Sequence, residues 1–169
     1  MEEGGVGSFE LRRCVDADYR ALLGWIPDAA ELYLFTGTRF TWPLTLDQLG
    51  SLAATPRWTD WTLVETSAPL APLGHVELAF VDGPDDPPTV RISRVLVAPF
   101  RRGRGLGGVL AALAVEKARE LGAMQVELAV ITGNERAERV YARLGFVPSS
   151  RSPKRPDVHE LALDLTATG

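Results

Sequence analysis

Cysteine is almost absent from this chain: Cys14 is the one example among 169 residues. No internal disulfide can form, which excludes a secreted, disulfide-stapled scaffold and fits a reducing compartment. Histidine is nearly as scarce, and His75 and His159 stand too far from each other and from Cys14 to offer metal-ligand spacing, so no metal is expected. Positive charge is not in excess. Eighteen basic residues face 22 acidic ones, a net charge of −4, and bulk attraction to nucleic acid is not expected. The apolar stretch from Leu106 to Val115 is interrupted by glycines and followed by Glu116, Lys117, Arg119 and Glu120, short of the ~20 residues that span a membrane. The opening MEEGGVGSFE is acidic and glycine-rich, the reverse of an export signal. These absences predict a soluble, cytoplasmic protein with neither nucleic acid nor membrane as partner.

What is present suits one globular domain, residues 1–169, able to bury roughly 69% of its unfolded surface. A strand from about Phe9 to Cys14 leads to a helix begun near Asp16, whose carboxylate suits the cap, and ended by Gly24 and Pro27. Helical segments follow at Asp28 to Phe35 and from Thr45, where the spacing to Gln48 fits a capping box. Extended patterning covers Trp61 to Glu65, Gly74 to Val81 and Val90 to Val97. A helix from Gly105 to Leu121, a strand from Val126 to Ile131, a helix from Asn134 to Leu144 and strands at Phe146 to Pro148 and Val158 to Leu165 complete the chain. This order describes an α/β or α+β mixed sheet. Its central strand, helix, strand unit pairs two strands in parallel and leaves a crevice at their carboxyl ends.

The segment Val95 to Gly108, VLVAPFRRGRGLGG, ends a strand, supplies three arginines and four glycines, and begins a helix. Glycine permits positive φ, so consecutive amides can converge on one point, which the helix dipole also favours for an anion. The density of donors suits a pyrophosphate. A P-loop is ruled out because Val109 and Leu110 follow Gly108 where Lys and Ser or Thr are needed. Gly103, Gly105 and Gly108 do satisfy G-x-G-x-x-G, with Glu127 about 20 residues further on, so a dinucleotide-binding oxidoreductase is one alternative. The distance from strand end to Gly103 and the early position of Glu127 in its strand weigh against it.

A third pattern, Arg/Gln-x-x-Gly-x-Gly/Ala, is present as Arg102, Gly105 and Gly107 after the V-x-P of Val97 to Pro99. Downstream, Asn134, Ala137, Tyr141 and Gly145-Phe146 follow N-x-x-A-x-x-x-Y-x-x-x-G-F. In these two ordered motifs, spanning about Val90 to Pro148, the chain resembles the GNAT superfamily of acetyl-CoA-dependent N-acetyltransferases. The resemblance implies a mixed, mostly antiparallel twisted sheet flanked by helices, with a central parallel strand pair that splays. It implies an acyl-CoA core at about residues 90–148. The pyrophosphate would rest on the amides of Arg102, Gly103, Arg104, Gly105, Leu106 and Gly107, the pantetheine arm would pair with the backbone of Leu96 and Val97, and Asn134, Ala137 and Tyr141 would border the passage. It further implies transfer of an acetyl group to a primary amine of a small molecule or peptide by direct attack, and admits a homodimer. A non-catalytic acyl-CoA sensor that kept the fold is the other alternative.

An alkyl amine is neutral in about one part in 2,500 at pH 7, so something must accept its proton. Glu77, through a water chain, is the first candidate; His75 shares its strand face, and Ser93 can relay. The family often carries an acid or histidine near the start of the next strand, where this chain reads Arg91-Ile92-Ser93-Arg94. The resemblance assigns Tyr141 to the departing thiolate. Cys14 reads as a small buried residue rather than a nucleophile. Acceptor recognition is expected from the aromatic-rich first half, with Asp82, Asp85 and Asp86 read as acids beside the cleft.

Overall fold

The structure is a computed structural model that describes residues 8–149 and 156–167, apart from the side chains of residues 52 and 53. Residues 1–7, which carry most of the acidic opening, lie outside that description. In chain order the elements are β1 (Phe9–Arg13), α1 (Asp16–Trp25), α2 (Ala29–Thr36), α3 (Leu46–Ala53), β2 (Trp58–Glu65) and β3 (Gly74–Phe80). There follow β4 (Thr89–Val97), α4 (Leu106–Glu120), β5 (Gln125–Ile131), α5 (Glu135–Arg143), β6 (Val147–Pro148) and β7 (Val158–Asp164). Among the described residues, no helix is long and apolar enough to cross a membrane.

The expected elements form, with local differences in how they start. Val15, not Asp16, caps α1; the carboxylate that reaches back is Asp18, which accepts the Val15 N–H at 2.9 Å. Asp28 caps α2 by accepting the Glu31 N–H at 2.9 Å. Thr45 Oγ1 accepts the Gln48 N–H at 3.3 Å as the capping pattern predicts. The Gln48 amide, however, clasps both backbone groups of Thr41, at 3.0 and 3.2 Å, and so ties the preceding loop to α3.

The strands make one sheet in the order β1-β2-β3-β4-β5-β7-β6, antiparallel at each step except β4 with β5. The mixed, mostly antiparallel sheet with a central parallel pair is therefore present. The two faces differ. Leu63, Val76, Leu78, Val90 and Ile92 turn toward α4, whose buried Leu106, Leu110, Ala111, Ala114, Val115 and Ala118 form one helical face. Small residues at three of those positions bring the helix close. Gly74 marks the closest approach: a Cβ there would meet Leu110 Cδ2 and the Leu96 carbonyl oxygen, each at 3.1 Å. The opposite face, under α1 and α2, carries Asp60, Thr62, His75 and Glu77, all buried. Leu22, Trp25, Ile26, Leu32, Phe35 and Leu49 build a second apolar cluster above it.

One irregularity in β4 shapes everything nearby. The register with β3 runs Gly74↔Val97 and His75↔Leu96, then Glu77↔Ser93, so Arg94 and Val95 together face Val76. This is a β-bulge, and Arg94 occupies it at φ 49°, a conformation costly for a residue with a side chain. Pairing of β4 with β5 covers Thr89↔Gln125, Val90↔Val126 and Arg91↔Glu127 and goes no further. Beyond Arg91 the parallel strands part.

Leu110 has no exposed surface and joins α4 to the sheet at Gly74. Leu110→Ala is expected to lower unfolding free energy by about 3 kcal/mol through lost burial and the cavity left behind. Urea titration, with an unchanged slope, is the check.

Candidate active site

Between the parted ends of β4 and β5 lies a cavity of about 450 Å³. The turn before α4 closes one end and α5 one side. A 3-10 turn, Pro99–Arg101, separates β4 from the glycines, and Gly103 and Gly105 both adopt φ 77°. Gly105 is the cap of α4 and offers no side chain to its first turn. The amides of Arg101 and Arg102 bond Ala98 and Pro99, and those of Gly108 and Val109 bond Gly105. Between them, the five amides of residues 103–107 have no acceptor among the described residues. Such a run at a helix N-terminus is a nest for an anion with several oxygens.

Gly103, Leu106 and Gly107 line the cavity with Arg101 and Arg102, as do Leu96 and Val97 of β4 and Asn134, Ala137 and Tyr141 across it. Arg104 and Gly105 do not reach the lining; they contribute backbone to the turn. Arg102 leans across the mouth, where Nε donates to the Val97 carbonyl at 3.2 Å and the guanidinium lies 3.6 Å from Glu31 of α2.

Asn134 caps α5 by accepting the Ala137 N–H at 3.3 Å. Tyr141 is 8% exposed and stacks edge-on against Phe146 at 5.6 Å. Its hydroxyl has no hydrogen-bond partner among the described residues, and burial pushes its pKa up to about 12, so the phenol keeps its proton at neutral pH.

A second cavity of about 490 Å³ adjoins the first and shares Phe35, Ser93 and Arg94 with it. It opens between the end of α2 and the start of β7, with Arg39 and Asp157 on its rim. Arg91, on its floor, is held by Glu127 at 3.0 Å and Glu160 at 2.8 Å. That use of Glu127, at the paired end of β5, leaves it unsuited to the ribose role of the dinucleotide alternative.

Glu77 lines neither cavity. It is 1% exposed, and Arg94 stands between it and the cleft, with Arg94 Nε donating to Glu77 Oε2 at 2.7 Å and Nη2 to Oε1. Burial pushes Glu77 up to about 7 against the opposing pull of Arg94. Asp60 is its cross-strand partner and accepts the Tyr19 hydroxyl at 2.5 Å. His75, beside them, is driven down to about 4 by complete burial and stays neutral. Cys14, near Thr62 at 3.1 Å, is pushed up to about 11 by burial and is a thiol, not a nucleophile, at neutral pH.

Ser93 is brought to the junction of the two cavities, as a relay requires. Asp82, expected beside the cleft, instead pairs with Arg57 at 3.0 Å and accepts the Thr89 N–H at 3.2 Å. It sits before the amino end of β4, about 10 Å of strand short of Ile92, where the lining of the first cavity begins. Arg94, Asp60 and Tyr19 are the residues the sequence reading did not single out. One signal existed: apolar alternation through Val90 and Ile92 slips phase at Arg94 and resumes at Val95, which is how a bulge reads in sequence.

A mixed sheet whose single parallel pair parts over an amide-lined turn is the architecture of coenzyme A-dependent acyltransferases. The chain belongs to the acetyltransferase (GNAT) family, whose model matches residues 32–146. Solved structures agree in fold. The spermidine N-acetyltransferase of Vibrio cholerae, in complex with CoA and spermine, aligns over 94% of this chain and 96% of its own with TM-score 0.74 at 16% identity. The ribosomal-protein-S18-alanine N-acetyltransferase of Escherichia coli aligns over 96% and 97% with TM-score 0.67 at 18% identity. An aminoglycoside acetyltransferase in complex with coenzyme A aligns over 94% and 96% with TM-score 0.71 at 19% identity.

The buried His75 ties stability to pH. Its folded value of about 4 lies below the ordinary 6.5, so the neutral ring contributes fully above pH 6.5 and that contribution is lost as pH falls toward 4. Between pH 7 and pH 5, wild type is expected to lose about 2 kcal/mol relative to His75→Gln. Denaturant unfolding of both proteins at the two pH values measures the difference.

Proposed function

We propose that this chain is an N-acetyltransferase that moves an acetyl group from acetyl-CoA to the primary amine of a small molecule or peptide by direct attack. The observation that carries the reading is continuity: one cleft runs from the turn whose amides 103–107 have no acceptor among the described residues, between the parted strands, to Tyr141, whose hydroxyl has no partner among those residues either. In this reading the amides of residues 103–107, with Arg102 swung off the Val97 carbonyl, take the coenzyme's pyrophosphate. The freed backbone of Leu96 and Val97 takes the pantetheine amides, and Asn134 and Ala137 border the arm. Residues 1–169 act as one domain with the coenzyme core at about 90–148. The single cysteine and acidic balance support a cytoplasmic setting.

The acceptor enters through the second cavity, which meets the first at Ser93 and Arg94. The relatives named above act on a polyamine, a ribosomal protein and aminoglycosides, so fold alone leaves the acceptor open among amines. Chemically, the amine nitrogen forms a bond to the thioester carbon while the carbon–sulfur bond breaks. The amine's proton passes by Ser93 to Glu77. Tyr141 donates a hydrogen bond to the departing sulfur. Full transfer from a phenol near 12 to a thiolate near 8.5 would cost ~5 kcal/mol, so the coenzyme leaves as a thiolate hydrogen-bonded to Tyr141 and is protonated by the bulk buffer after release, while Glu77 returns the amine's proton to solvent.

Free-thiol release against a panel of amines, amino acids, polyamines and peptides tests the activity; cofactor affinity without turnover on any amine would favour the sensor instead. Tyr141→Phe is expected to lower kcat on the order of 100-fold with acetyl-CoA affinity unchanged by calorimetry. Gly105→Glu puts a side chain at φ 77° and a like charge at the nest. It is expected to weaken acetyl-CoA binding on the order of 100-fold, ~2.7 kcal/mol, with wild-type affinity contradicting the site.

A further inference from the structure

The polar cluster beneath α1 contains one more carboxyl group than its charges can balance. Asp60 is 7% exposed and Glu77 1%, and the two are directly opposed across β2 and β3. Directly opposed residues on one face of an antiparallel pair have Cβ atoms about 5 Å apart, so the two buried carboxyls project side by side, and two carboxylates at that range can bond only when one of them carries a proton. Around them, α1 supplies the Tyr19 hydroxyl, donated to Asp60, and β4 supplies the Arg94 guanidinium, donated to Glu77 and stacked 5.1 Å over the Trp58 ring. Nearby Asp18 is taken up by Arg12 at 2.6 Å and by Thr62 at 2.9 Å, His75 is neutral, and Cys14 faces Thr62. One guanidinium therefore stands against two buried carboxyls.

We propose that Asp60 and Glu77 hold one proton in common and work as a single proton-accepting unit, with Asp60 the further residue that positions and charges Glu77. This rests on the reading of Glu77 as the base. In the receptive state both carboxyls are ionised and the cluster is one negative charge in excess. Accepting the amine's proton leaves one shared proton and one carboxylate charge against Arg94, the electrically balanced arrangement. Ser93 is the cross-strand neighbour of Glu77 and lines both cavities, which supplies the step from the cleft to a carboxyl that does not reach it. Arg94 seals the unit from solvent and orients Glu77.

The test uses the carboxyl carbon-13 resonance of Glu77, followed over pH in the intact chain, alongside the pH profile of kcat/KM. In wild type both are expected to move near pH 7. Asp60→Asn removes the neighbouring charge and is expected to lower the Glu77 midpoint by about one unit. Tyr19→Phe removes a donor to the ionised pair and is expected to raise it. Opposite shifts from two neighbouring variants cannot come from loosened packing, and Tyr19→Phe keeps the test open if Asp60→Asn does not fold. An unchanged Glu77 midpoint in both variants overturns the shared proton. Resonance shifts as expected with a stationary kcat/KM profile leave the pair standing and overturn its catalytic use, and with it Glu77 as base.

Discussion

The extra residue in β4 is the constraint on which the site depends. A parallel pair of strands with regular backbones would stay bonded along its length, because each unpaired amide or carbonyl in a sheet interior is costly. The bulge at Arg94 turns the second half of β4 away from β5, and the hydrogen bonds stop at Arg91↔Glu127. The backbone groups released there line a cleft where a ligand can satisfy them. Holding Arg94 at φ 49° requires compensation, and the buried bonds to Glu77 supply it. The feature that opens the sheet thus also anchors the buried carboxyls beside the opening.

The two faces of the sheet divide the labour. Beneath α4 the buried surface is apolar and close-packed, down to Gly74, where a Cβ would press on Leu110 and the Leu96 carbonyl. That rigidity fixes the start of α4, and the turn before it leaves the amides of residues 103–107 without an acceptor among the described residues. Beneath α1 and α2 the surface is polar, and each charged group there has a partner drawn from another element: Arg12 with Asp18, Tyr19 with Asp60, Arg94 with Glu77. Burial is the leading cause of the shifts at two groups on this face, driving Glu77 up and His75 down.

Much of the fold was legible along the chain. The helix from Gly105, the strand from Val126 and the helix from Asn134 announce themselves by period, and Gly105, Asn134 and Gly145 punctuate the helix ends because a cap needs a particular φ or a particular side-chain oxygen. The errors are instructive. Asp16 is the carboxylate the sequence offers at the start of α1, yet Val15 is the cap and Asp18, fixed by Arg12 and Thr62, is the carboxylate that accepts its N–H. Asp82 precedes β4 and so lies at its amino end, whereas the cleft opens after Arg91, where β4 and β5 part.

The sequence by itself determined the elements, the glycine-rich turn with its arginines, and the Asn134, Ala137, Tyr141 face, since each arises from contacts within a few residues. Tertiary structure alone decided that Glu77 is withdrawn behind Arg94, that Asp60 and Tyr19 join it, and that Arg102 spans the cleft mouth to Glu31. These contacts join residues far apart in the chain, and their chemistry comes from shared burial, a property of the packed molecule that no local pattern carries.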